Sequence, residues 1–151
     1  MQINARDWLF EASADPSATT PVWAQIGGVE SFTLSNSEGE ESTDTTTFAS
    51  AGVAESQAMQ RGASLSIEGK IVRNKTTNAP DAGQAVCDAL AAEVGEESLG
   101  GVRFRHVSDT DWTVWTAWAS KGDNGGGIND KTSWSCSFTR SGAASTVAVT
   151  P

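Results

Sequence analysis

Between Thr132 and Thr139 every second residue is a serine: Ser133, Ser135 and Ser137 lie on one parity, and Trp134, Cys136 and Phe138 on the other. A period of two is the side-chain period of a β-strand, and a helix burying one face does not produce it. Ala63 to Arg73 repeats the pattern. Leu65, Ile67 and Ile71 share one face, and Ser64, Ser66, Glu68 and Lys70 the other, with Gly69 where a bulge or a close backbone approach fits. Each strand therefore buries one face and presents small polar groups on the other, to water or to a closely packed neighbour.

Further strand runs are read at Gln2–Phe10, Val22–Ile26, Val29–Ser35, Val102–Val107, Asp111–Ala119, Lys131–Arg140 and Thr146–Val149. In Val29–Ser35, Glu30, Phe32 and Leu34 share one parity. Pro80–Val94 is the expected helix: Ala82, Val86, Ala89, Leu90 and Val94 fall at three- and four-residue spacing. Pro80 and Asp81 suit its first turn, and Gly95 its C-terminal cap. About eight strands and one flanking α-helix (about 80–94) make the chain mainly β, as a β-sandwich or flattened barrel. The strand runs on either side of the helix are too poor in apolar residues to form separate cores, so residues 1–151 are expected to form a single domain. Two stretches stand apart, a long loop at 36–62 and a flexible tail at 143–151. The loop far exceeds the usual hairpin connection, and its Phe48, Val53 and Met59 need something to bury against, such as another subunit.

Chemistry finds little to rest on. The one histidine, His106, shares its parity with Val102 and Phe104 and reads as a structural residue at the end of a core face. No nucleophile elbow accompanies it. Carboxylates cluster as Glu38, Glu40 and Glu41, as Glu96 and Glu97, and as Asp109 with Asp111, all in expected loops or turns where solvated charge is the ordinary state. Asp123, Asn124 and Asp130 lack the order of a calcium loop. Cys87 and Cys136 stand alone, without a metal-ligand pattern, and read as small buried hydrophobes. No catalytic, cofactor or metal residue is assigned. The net charge of -9 disfavours binding to phosphate backbones. No stretch has the length of a signal peptide or a membrane span, so no membrane anchor is expected. Trp112 and Trp118 share one face and Trp115 takes the other, which leaves at least one indole outside a common core. A carbohydrate-binding module stacking sugar on Trp115 or Trp118 is the alternative reading.

Four stretches stand in a recognisable order: Trp23-Ala24-Gln25-Ile26-Gly27-Gly28-Val29, the acidic Thr-rich stretch ending Asp44-Thr45-Thr46-Thr47-Phe48, Arg61-Gly62-Ala63-Ser64-Leu65-Ser66-Ile67-Glu68-Gly69, and Ser133 to Phe138 ahead of Ser141-Gly142. This order resembles the major tail tube proteins of long-tailed, siphovirus-type bacteriophages with non-contractile tails. The resemblance runs from about residue 22 to 142 and is one of pattern and order. It implies a non-enzymatic structural protein of the virion tail, made in the host cytoplasm, that stacks as hexameric rings around a channel for double-stranded DNA. Its partners would be copies of itself and other tail proteins such as the tape measure, tail tip and terminator, and no cofactor is implied. The expected docking residues are Glu38, Glu40, Glu41, Asp44, Phe48 and Arg61. Ser64, Ser66 and Glu68, and with them Ser133, Ser135 and Ser137, are expected on the channel wall.

Overall fold

The computed structural model describes residues 1–150. In chain order its elements are β1 (Trp8–Ser13), β2 (Ala24–Gln25), β3 (Val29–Ser35), β4 (Glu41–Asp44), β5 (Ser56–Gln60), β6 (Ser64–Lys70), α1 (Ala82–Ala91), β7 (Leu99–His106), β8 (Asp111–Lys121), β9 (Ser133–Arg140) and β10 (Ser145–Ala148). Eight strands form one antiparallel sheet in the order β2-β1-β7-β8-β9-β6-β3, with β10 beside β8, while β4 and β5 pair with each other. The mainly β class with one helix is as the sequence indicates. The two strands beyond the expected eight lie in the stretch read as a loop.

The sheet curls without closing. β1 and β3 stand near opposite ends of the strand order, yet their side chains meet: ring centroids are 5.0 Å apart for Phe10 and Phe32, and 5.5 Å for Trp8 and Phe32. The alternating faces converge inside this flattened, open barrel. Phe10, Leu65, Ile67, Val102, Trp115 and Phe138 are buried there, drawn from both sides of the helix in sequence. Phe104 sets its ring edge-on to Trp115 at 5.0 Å, a favoured aromatic geometry.

Helix α1 closes one side and is shorter than expected. Asp81 has extended backbone (φ -59°, ψ 133°) and is the N-cap, its carboxylate accepting from the Gln84 N–H, so Pro80 lies outside the helix. The last turn ends at Ala91, and Gly95, at φ 70°, opens the next short turn instead of capping α1. The same Asp81 carboxylate accepts from Gly27 N–H at 3.0 Å. Gln84, 3% exposed, adds three bonds: Nε2 donates to Gly27 O (2.9 Å) and Lys70 O (2.8 Å), and Oε1 accepts from Val72 N–H (3.2 Å). The first turn of α1 thus staples the β2–β3 connection to the end of β6.

Other boundaries moved for local reasons. The first strand begins at Trp8 because Ala5–Asp7 form a tight turn in which Asp7 N–H bonds Asn4 O, and β2 is only two residues long. β7 starts at Leu99, through two glycines that its neighbours crowd: a Cβ at Gly101 would lie 2.7 Å from Pro16 and 2.9 Å from Trp23. In β3, Val29 faces Gly69 and Ser31 faces Glu68, so Glu30 is the extra residue of a bulge. It turns outward, away from the side of Phe32 and Leu34. Near the C-terminus, Ser141 N–H bonds Thr116 O and Ser145 pairs with Val114. β9 and β10 therefore form one kinked strand along β8, and residues 145–148 of the expected tail lie on the sheet.

Candidate functional site

The stretch read as a loop is a projecting β-hairpin. β3 and β6 are paired up to Ser35 and Ser64, and beyond that point the two chains continue outward as β4 and β5, paired from Glu41 with Gln60 to Asp44 with Ser56. Every residue of β4 and β5 is exposed. A Glu40–Arg61 ion pair (3.0 Å) and a bond from Gln60 Nε2 to Gly39 O (2.6 Å) hold its base. At the tip Thr47 and Ser50 form a capping box around a turn that presents Phe48 fully to solvent, with Val53 and Met59 also exposed. Isolated two-stranded hairpins are marginally stable in water, and this one carries three exposed apolar side chains with no partner within the chain.

All six expected docking residues lie on or at the base of this arm. Glu40 and Arg61 hold each other, Glu38 accepts from the Ser64 hydroxyl (3.2 Å), and Asp44 accepts from Thr46 N–H (2.9 Å). Hydrogen bonds from the Thr46 hydroxyl and N–H hold the Asp44 carboxyl below its ordinary 3.8. The depressed value means that the order Asp44 gives the tip is complete above the unfolded value and is lost as pH falls through the native one. In an NMR titration the Thr46 amide is expected to move with a midpoint below 3.8, while the Ile67 amide stays still. A Thr46 midpoint at or above the ordinary carboxylate value would remove this contact.

A second surface is the outer face of β3, β6, β9 and β8. Strand register sets its side chains in rows: Ser35, Ser64, Thr139 and Trp118; then Thr33, Ser66, Ser137 and Ser120; then Ser31, Glu68 and Ser135. Ser133 follows, opposite Lys70. The expected wall residues Ser64, Ser66, Glu68, Ser133, Ser135 and Ser137 therefore share one continuous face. Sequence reading did not name its other hydroxyl members, Ser31, Thr33, Ser35, Thr139 and Ser120, because which strands lie side by side on this face is set by the pairing of β3, β6, β9 and β8. Of the three tryptophans on β8, Trp115 (3% exposed) lies in the core and is unavailable for stacking on a sugar. Trp112 is buried under the Arg103 and Arg105 guanidiniums, and Trp118 stands 44% exposed at the corner of the hydroxyl face.

The third feature was not foreseen. Where the curled sheet stays open between β1 and β3, Trp8, Phe10, Val29 and Phe32 line a cleft of about 350 Å³, with Arg6 and Glu30 at its rim. The signal was present in the shared parity of Trp8 and Phe10, but it needed the β1–β3 proximity that only the curl supplies.

The residues considered for chemistry are used structurally. His106 is buried, its Nδ1 2.7 Å from the Ser108 hydroxyl and its ring edge-on to Trp8 at 6.0 Å. Cys87 and Cys136 are both free and buried, and contact with Cys136 together with burial pushes the Cys87 thiol up, which keeps it protonated and unreactive. Asp130 accepts from Gly127 N–H within its own turn. Among the described residues no group of three or more His, Cys, Asp or Glu converges as a metal set, and no helix is long and apolar enough to cross a membrane.

No family model and no curated protein matches the chain. Solved structures do. A chain from the tail of an empty gene transfer agent (GTA) particle, determined by helical refinement with C6 symmetry, superposes with a TM-score of 0.68 at 19% identity, over 97% of this chain and 100% of that one. A chain from the virion of a native GTA particle gives 0.67 at 18% identity, again over 97% and 100%. The fold is therefore one also found in chains of gene transfer agent particles, matched over 97% of this chain.

Proposed function

We propose that this chain is a structural subunit of a phage-type tail tube, assembling as stacked rings, six copies to a ring, around a channel that lets double-stranded DNA pass. The observation that carries the reading is the exposed arm, with its bare Phe48, on a fold that matches a GTA tail chain over its whole length. The C6 symmetry of that tail supports six copies. The outer face of β3, β6, β9 and β8 suits a non-adhesive wall: small hydroxyls with Glu68 offer phosphates little cationic grip, since Glu30 engages Lys70 at 3.7 Å and Lys131 shares its cleft with Asp123 and Asp130. Six copies of a chain of net charge -9 repel DNA more than they hold it. The free outer edge of β3 and that of β10 are strand edges that neighbours in a ring would pair, removing an aggregation hazard. Other tail proteins, among them a tape measure, a tip and a terminator, would bind the ends of such a tube. The reaction is geometric and no bond is made or broken.

Negative-stain microscopy of the concentrated protein is the direct test. Hollow tubes or six-fold rings are expected, and strict monomers at every concentration would count against the reading. Replacing Glu40, Glu41 and Asp44 with Ala is expected to shorten the tubes or lower their yield. It removes the Glu40–Arg61 pair and the Thr46 contact that shape the arm while leaving the core untouched. Tubes of unchanged yield and length would sink the docking role. The exposed Trp118 beside hydroxyls is what favours the second reading, carbohydrate binding, and retention of the monomer on a polysaccharide column would support that instead.

A further inference from the structure

The arm leaves the sheet at the Ser35–Ser64 end of β3 and β6. The aromatic cleft is built from the other end of β3, Val29 to Phe32, together with Arg6, Trp8 and Phe10. A projecting group at one end and a cavity at the other specify a head-to-tail contact, in which each copy gives its arm to one neighbour and takes the arm of another. We propose that the β1–β3 cleft is the socket for Phe48 of a second copy. This rests on the assembly reading above and names where on the chain the arm lands.

Size, chemistry and charge agree on the occupant. A cavity of about 150 Å³ is enough to hold benzene, and this cleft offers about 350 Å³, room for a phenyl ring and part of its turn. Its walls are Trp8, Val29 and Phe32 over the buried Phe10, an apolar and largely aromatic lining suited to a further ring. The arm carries Glu38, Glu40, Glu41, Asp44 and Glu55 against the single cation Arg61, so it needs a receptor with positive charge at its rim. Arg6 supplies it, exposed and without an ion pair among the described residues, while the rim's one carboxylate, Glu30, is engaged by Lys70 at 3.7 Å. Competing clefts fit worse. The one lined by Asp15, Pro16, Glu96, Glu97 and Leu99 repels an acidic arm, and the one around Lys70, Asp123, Asp130 and Lys131 has no apolar wall. The arm does not fill its own cleft, since its Phe48 is fully exposed.

The test uses full-length chains carrying one new cysteine each, the native Cys87 and Cys136 being buried. Ala49→Cys protein, which keeps Phe48, is mixed with Ala5→Cys protein, whose new thiol lies at the cleft, under mild oxidation by oxidised glutathione, and a Ser137→Cys protein on the hydroxyl face serves as control. Only a contact between copies links the two chains. The expected result is a covalent dimer at least about ten times more abundant with Ala5→Cys than with Ser137→Cys, suppressed when Arg6→Glu is added to the Ala5→Cys chain. In parallel, Phe48→Ala is expected to raise the concentration needed for assembly on the order of 30-fold, the scale of an aromatic hot spot. Both sites are exposed, so circular dichroism melts close to the parent are expected. Particles that assemble without the link between residues 49 and 5, or that tolerate Phe48→Ala, overturn the socket and leave the assembly reading standing. Absence of particles and of any cross-link at every concentration overturns both.

Discussion

Gln84→Ala is expected to destabilise the fold by about 3–5 kcal/mol, lowering the thermal midpoint by roughly 10 °C or more. The side chain is 3% exposed and its amide is fully engaged, donating to Gly27 O and Lys70 O and accepting from Val72 N–H. Truncation removes all three partners at once, and each buried backbone group left unpaired costs about 1–3 kcal/mol, less where water can enter the space vacated. The three groups lie on the β2–β3 connection, the end of β6 and the segment after it, so the loss loosens the contact between α1 and the sheet. Gln84→Glu separates geometry from burial. It keeps an acceptor for Val72 but turns both donors into a charge facing two carbonyl oxygens, and at neutral pH it is expected to be worse than Ala. Urea unfolding of the three proteins measures the series; a cost below about 1 kcal/mol for Gln84→Ala would mean that the staple contributes little.

Gln84 also marks where sequence reading stops. In a helical pattern it is one polar residue among several, and its partners lie on two other segments, brought together only by the fold. What was legible came from periodicity. Trp134, Cys136 and Phe138, and Leu65 and Ile67, lie in the core with their serines outside, because a half-buried strand offers no other way to arrange alternation. β7 was read too short because Gly100 and Gly101 carry no apolar side chain to signal burial; they are glycine because Leu90, Pro16 and Trp23 press on the strand there. Glu30 was placed on the parity of Phe32 because a bulge shifts register without leaving a mark in composition.

The candidate surfaces were legible to different degrees for the same reason. Serine on alternate positions of two strands points to one face, and strand pairing then made β6 and β9 neighbours, so six expected residues came together. The arm was seen as a long polar stretch with misplaced apolar residues, but its strands were hidden, since Glu41–Asp44 and Ser56–Gln60 bury nothing and so have no alternation to display. The cleft showed in the sequence only as the shared parity of Trp8 and Phe10, because it is a gap between strands that are not paired.

Replacing residues 36–63 by Asn-Gly is expected to abolish assembly while costing the fold only about 1–2 kcal/mol. Ser35 and Ser64 face each other directly across β3 and β6, and a two-residue Asn-Gly turn is the connection that such a register accepts. The excised segment is almost wholly exposed, so the stability lost is confined to Ala63, which is buried and whose carbonyl accepts from Arg140 N–H at 3.0 Å. The hydroxyl face and the aromatic cleft remain. If stacking depends on an arm entering a neighbour, the shortened chain keeps its receptor and loses its donor. It should then act as a terminator of growth: added in trace to the full-length protein, it accepts an arm from one neighbour and offers none to the next, shortening particles in proportion to its fraction. Sedimentation velocity of the shortened chain alone, and particle lengths in mixtures, read the two effects separately. A shortened chain that melts normally and still assembles would show that the sheet edges alone hold the copies together and that the arm has another purpose. One that neither assembles nor shortens the particles of the parent would mean that the arm's receptor, and not only the arm, lies within residues 36–63.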